Sequence, residues 1–214
     1  MKPVCYIVGA CDAGKLSFAD SSAAFVIAAD GGLSALEAQG VAPDLIVGDF
    51  DSLGRIPRGD HVLRYPPEKD DTDTMLAVKL GLERGFREFV LYGCTGGRPD
   101  HMYANLQTLR YLAGKGGRGY LVGDGWVSCV ICGGALSFPA GMDGTVSVFC
   151  PDGVAEGVTL RGLKYSLEDA SLQSDFPLGV SNQFTGEEAD VLVSSGSLLV
   201  MWEESAEHLM QRLR

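Results

Sequence analysis

Apolar positions follow two different patterns along the chain. Up to about residue 118, short apolar-rich runs, "VCYIV", "AFVIAA", "LIVG", "HVLRY" and "EFVLYG", are separated by segments with a different rhythm. Compact runs of this kind read as buried strands, while recurrence every three or four residues predicts helices over residues 74–84 and 102–113. In the second helix Met102, Leu106, Leu109 and Leu112 make one apolar face. Strands alternating with helices imply a mostly parallel sheet covered on both sides. Ligands of such sheets bind beyond the carboxyl ends of the strands.

Beyond residue 118 the pattern switches. "GYLVG", "WVSCVICG", "TVSVFC", "GVTLRGL" and "DVLVSSGSLLVMW" are β-rich and separated by Gly, Pro, Asp and Asn turns. This spacing predicts an antiparallel sandwich or barrel. The expected division is therefore an α/β domain over 1–118 and a β domain over 119–214, with "EESAEHLMQRLR" as a short terminal helix or a frayed tail.

Charge narrows the partners. A net charge of −11 with no basic stripe argues against nucleic acid and anionic membranes. It leaves room for a phosphate substrate, because a bound metal ion inverts the local sign. "MKPVCYIVGA" has no basic segment followed by a long apolar core, and no run reaches membrane-spanning length, so a cytoplasmic protein is expected. The six cysteines lie mostly in apolar, strand-like runs, as reduced buried thiols do. Cys129 and Cys132 have metal-ligand spacing, but there is no second pair, and residues three apart on a strand face opposite sides.

Candidate chemistry gathers at the strand ends. Four acidic clusters punctuate the first half: "AADGG" (Asp30), "VGDFDS" (Asp49, Asp51), "EKDDTD" (Asp70, Asp71, Asp73) and "GGRPDH" (Asp100). Two carboxylates about 4 Å apart repel by roughly 4 kcal/mol at an effective dielectric near 20, so such crowding calls for a cation. Magnesium takes oxygen ligands, commonly carboxylates together with phosphate and water. In an extended segment Asp49 and Asp51 would face one way with Phe50 turned inward. Asp70 and Asp73 would share a side at a helix start, where acids are also favoured as caps. Gly96 and Gly97 would let backbone amides approach an anion, with Arg98 and Lys69 as cations.

Two other motifs fail on detail. "GACDAGKL" has the G-x-x-x-x-G-K spacing of a phosphate-binding loop, but Leu16 replaces the hydroxyl residue and Asp12 adds a negative charge. "DFDSL" resembles the D-x-D of haloacid-dehalogenase-type phosphatases, yet it follows the third strand rather than the first and closes with Leu53.

Taken in order, "ADGG", "PDLIVGDFDS", "KDDTD" and "GGRPDH...N", then "GLKYSL", "GVSN" and "SGSLLV", resemble the motif series of thiamine pyrophosphokinases. The resemblance runs from about residue 28 to residue 200. It implies a Rossmann-like three-layer α/β domain, a C-terminal antiparallel β-sandwich domain and a homodimer. It also implies transfer of the pyrophosphoryl group of ATP to thiamine with release of AMP. By the same resemblance Asp49, Asp51 and Asp73 would be magnesium ligands, with Asp70 and Asp100 close by. Arg98 and Lys69 would hold the pyrophosphate, and Asp30 and Thr72 would line the substrate cleft. Ser181 and Asn182 would contact thiamine from the partner subunit, with Phe184 as the stacking aromatic. A binding module without turnover would not need such a metal cluster. A metal-dependent phosphohydrolase is the enzymatic rival.

Overall fold

Val4–Val8 (β1) is buried at every position, so both faces of its sheet are covered. In this computed structural model, which describes residues 3–19 and 24–213, β1 is joined by five further strands. They are Phe25–Ala29 (β2), Leu45–Gly48 (β3), Val62–Arg64 (β4), Glu88–Tyr92 (β5) and Arg118–Gly123 (β6). All pair in parallel in the order β6-β5-β1-β2-β3-β4. From β1 the chain moves outward through β2, β3 and β4, then returns to the other side of β1 for β5 and β6. The order thus reverses between β1 and β5, and that is where such sheets open a crevice.

Side-chain alternation assigns the cover of each face. Cys5 pairs with Phe89, and Phe89 with Gly119, so the three share a face. Asp73–Glu83 (α2) and Pro99–Gly114 (α3) press on it. A Cβ added at Gly81 would lie 2.5 Å from the Phe89 ring, and one at Gly119 would lie 2.7 Å from Leu112. On the opposite face the Tyr6 hydroxyl donates to Met210 Sδ of Ala206–Arg212 (α4), and the Tyr92 hydroxyl donates to the Ser17 carbonyl. Gly32–Ala38 (α1) follows β2.

The chain divides after Gly125, and the residues from Ser205 onward return to the first unit. The expected boundary near 118 therefore moves. "GYLVG" looks like the β-rich half in composition, but as β6 it adds in parallel to β5. The terminal helix is present and belongs to the α/β unit.

The second unit, Trp126–Glu204, is antiparallel in every pairing. Its two long strands, Trp126–Phe138 (β7) and Ala189–Glu203 (β12), pair along their length with a register shift between Val193 and Ser197. Before the shift β12 also pairs with Val154–Arg161 (β9), and after it with Thr145–Phe149 (β8). Leu167–Gln173 (β10) adds to β9, and Gly179–Gln183 (β11) to β8. Phe138 meets both Phe184 and Trp202 edge to face in the core, with ring centroids 4.9 and 5.2 Å away.

Gly81 provides a test of the packing. Alanine there would gain about 1 kcal/mol of helix propensity. It would also force its methyl into Phe89 and Cys5, and overpacking costs typically about 1–3 kcal/mol. Gly81→Ala should therefore lower the denaturant midpoint at an unchanged m-value, against the propensity scale.

Candidate active site

Three chain segments leave the sheet with their carboxylates converging. Asp30 follows β2 in a left-handed conformation (φ 48°), and its amide donates to the Val47 carbonyl at 2.8 Å. Gly32 then passes so close to β1 that a Cβ would lie 1.8 Å from the Val8 carbonyl oxygen, so only glycine fits. Asp49 follows β3. After it Phe50 is left-handed (φ 69°) and buried. That reversal breaks the two-residue alternation on which Asp49 and Asp51 would have faced the same way. Asp51 is exposed instead, and its amide donates to Asp49 Oδ1 at 3.1 Å. Asp73 opens α2, where the Thr72 hydroxyl accepts from the Met75 amide as the N-cap.

Asp30, Asp49 and Asp73 each bring a carboxylate oxygen within 4.8 Å of the others. The structure thus groups Asp49 and Asp73 with Asp30, where the sequence had suggested Asp51. The Ser52 hydroxyl donates to Asp30 Oδ2, while Asp30 Oδ1 is buried without a hydrogen-bond partner. Lys69 Nζ lies 3.1 Å from Asp73 Oδ1 and 3.6 Å from Asp49 Oδ2. The Asp73 contact is an ion pair by distance but lacks hydrogen-bond alignment, so that buried oxygen is also unsatisfied. Burial pushes the Asp73 carboxyl above its ordinary range; Lys69 opposes the shift, and Asp30 and Asp49 add to it. An oxygen-only donor set, with Asp30 Oδ1 lacking any partner, suits a hard divalent cation.

The crevice beside this trio lies at the β1/β5 reversal and is lined by Gly9, Ala10, Asp30, Asp73, Gly93 and Asn105, among others. Asn105 is buried on α3 and donates to the Cys94 carbonyl at 2.8 Å. Gly96 and Gly97, both with positive φ, lead into α3. Arg98 is the residue before its first turn, and its guanidinium pairs with Asp100. Arg98 holds the Asp100 carboxyl down at about 2, although both side chains are exposed at the rim. Asp70 is also exposed. The G-x-x-x-x-G-K stretch forms no helix over residues 9–19; Lys15 pairs with Glu207, and the Gly14 amide donates to Asp12.

In the second unit Asn182 is buried. Its side chain accepts from the Tyr165 amide and donates to the Tyr165 carbonyl, so both ends are committed to holding that loop. Ser181 is exposed and left-handed (φ 59°). Phe184 lies in the core against Phe138, which leaves it no exposed face on which to stack a ligand. Tyr165, which the sequence reading passed over, is exposed and lines a cavity with Leu160, Leu167, Leu178, Val180 and Asn182. Its signal was position alone, inside "GLKYSL".

The chain is similar to known proteins over most of its length. The family description "Thiamin pyrophosphokinase, catalytic domain" fits residues 19–118, and "Thiamin pyrophosphokinase, vitamin B1 binding domain" fits residues 136–200. A thiamine pyrophosphokinase of Bacillus subtilis is 38% identical over a stretch covering 39% of this chain and 42% of that protein. A crystal structure of thiamine pyrophosphokinase from Bacillus subtilis superposes with a TM-score of 0.82 at 22% identity, covering 94% of this chain and 99% of that one. The Geobacillus thermodenitrificans structure gives 0.79 at 25% identity, covering 95% and 98%. The yeast structure gives 0.71 at 13% identity, covering 98% and 88%, a likeness of fold.

The raised Asp73 carboxyl has a signed consequence. Its folded-state value lies above the unfolded one, so its contribution to stability is present below the ordinary carboxylate range and is lost as pH rises through the raised value. In the metal-free protein Asp73→Asn should therefore make the melting temperature fall less steeply as pH rises above the ordinary carboxylate range. An unchanged slope would mean that the carboxyl titrates normally.

Proposed function

The chain belongs to the thiamin pyrophosphokinase family, and on that premise we propose that it transfers the pyrophosphoryl group of ATP to the hydroxyl of thiamine, giving thiamine diphosphate and AMP. The observation that carries this reading is the trio Asp30, Asp49 and Asp73 at the strand-order reversal, with unsatisfied oxygens turned inward. Asp30, Asp49 and Asp73 are the residues that would hold magnesium, which when bound would supply charge neutralisation at the phosphates. Asp51 stands beside them, one short turn away.

The protein's own part is binding and positioning, which supply most of the acceleration in phosphoryl transfers. Gly96 and Gly97 leave the backbone open at the start of a 16-residue helix, whose amide end favours anions. Arg98 can exchange Asp100 for a phosphate, a trade between two charge-assisted pairs. Asp70 and Thr72 follow Lys69 in the short segment that leads into α2. In the second unit Tyr165, with its apolar neighbours, supplies an aromatic face suited to the thiamine rings. Asn182 acts by holding the Tyr165 backbone, and Ser181 presents an exposed hydroxyl. A homodimer sharing its sites is the assembly that the family resemblance suggests.

Product analysis tests the reading. Protein, ATP, magnesium and thiamine should yield AMP and thiamine diphosphate in equal amounts, with neither formed when thiamine is omitted. ADP with thiamine monophosphate would refute pyrophosphoryl transfer, and free phosphate without thiamine would indicate a phosphohydrolase. Asp49→Asn should nearly abolish turnover while leaving the melting temperature equal or slightly higher, because it relieves repulsion.

The shared site has its own test. Asp49→Asn, and Ser181→Ala combined with Asn182→Ala, should each be inactive alone. Mixed dimers collect both defects in one site and none in the other, so random re-pairing should restore about a quarter of wild-type activity. A mixture as inactive as its parents, with mixed dimers confirmed by mass, would place the whole site within one chain.

A further inference from the structure

Lys69 occupies an unusual position. It sits just before the N-terminus of α2, where the helix dipole disfavours a cation, so it does not serve the helix. A turn in which its amide donates to the Pro67 carbonyl folds the backbone back, and the side chain, only 13% exposed, reaches into the acidic trio. There Nζ faces Asp73 Oδ1 and Asp49 Oδ2, with the Pro66 carbonyl at 3.4 Å. The other cations nearby behave differently. Lys79 pairs with Asp71 and Arg98 with Asp100, both outside the trio. Lys69 instead reaches two of the three carboxylates directly.

Asp73 is thus asked for twice, by the ammonium at its Oδ1 and by any metal ion that the trio would hold. A compact ammonium and a divalent ion cannot both occupy oxygens within 4.8 Å of one another without strong mutual repulsion. Resting on the function proposed above, we propose that Lys69 is a resident counter-ion of the unloaded site, displaced by the divalent cation and then taken up by the phosphates that arrive with it. The lysine offsets part of the repulsion among the three carboxylates in the unloaded protein, through Asp49 and Asp73. Once displaced, it becomes a donor for the phosphate chain. Metal alone must compete with it, whereas metal accompanied by phosphate gives it a new partner. Divalent cation and phosphate should therefore reinforce each other's binding.

Amine labelling of the intact protein, read at Lys69 by mass spectrometry, tests this without turnover. Labelling should be slow without metal, rise severalfold with magnesium alone, and fall again with magnesium and inorganic pyrophosphate. Calorimetry on the same samples reports whether magnesium binds. Lys69→Met should bind magnesium alone more tightly and the magnesium–pyrophosphate pair less tightly than wild type. These opposite changes differ from those of a lysine that merely braces the fold, whose loss would weaken both. Magnesium binding with unchanged Lys69 labelling would overturn the displacement and leave the proposed function standing. No magnesium binding to wild type or variant, with or without pyrophosphate, would overturn both.

Discussion

Three carboxylates held within 4.8 Å of one another set the terms for the rest of the α/β unit. Their repulsion works against folding, so the scaffold around them must be rigid enough to impose it. That rigidity comes from the buried parallel strands and from backbone geometry that fixes Asp30 and Asp49 at strand ends and Asp73 at the start of α2. Asp30 is left-handed and anchored by its amide to β3, Asp49 precedes a left-handed buried Phe50, and Asp73 is clamped by a helix cap. Local strain of this kind persists where surrounding packing over-determines it, and it concentrates at functional sites.

Much of this was legible in the sequence, and the gaps have identifiable physical causes. The five apolar-rich runs of the first half are all strands, and both helical periods are helices. A buried parallel strand writes itself as an apolar run. β10 and β11 could not be read in that way, because their side chains are mostly exposed and their pairing partners define them. α1 spans only seven residues, too few for a period to show. β6 had the right type but fell on the wrong side of the boundary, since composition does not reveal which strand it pairs with.

The candidate site divides along the same line. Residue types and motif order marked the segments that meet at the carboxylate trio, but side-chain direction needed dihedral angles that spacing does not carry. Phe50 at positive φ turned Asp51 outward and left Asp30 as the third member of the trio. Phe184 was a reasonable aromatic to single out, yet the unit closes its core with it and exposes Tyr165 instead. Asn182 is at the marked position but spends its amide on the backbone of that same tyrosine.

The return of the chain to the first unit bears on how the protein is made. α4 covers the face of β1 opposite α2 and α3, where Met210 receives the Tyr6 hydroxyl and Glu207 pairs with Lys15. During synthesis the central strand therefore emerges first, and the helix that covers it emerges about two hundred residues later. At about 5–20 residues per second this interval lasts roughly ten seconds or more. Throughout it, Phe18 and Ala19 already pack against Tyr6, but the patch that Met210 closes stays open to solvent, to chaperones and to other nascent chains. The catalytic half of this molecule cannot finish folding on the ribosome before the half that follows it has been made.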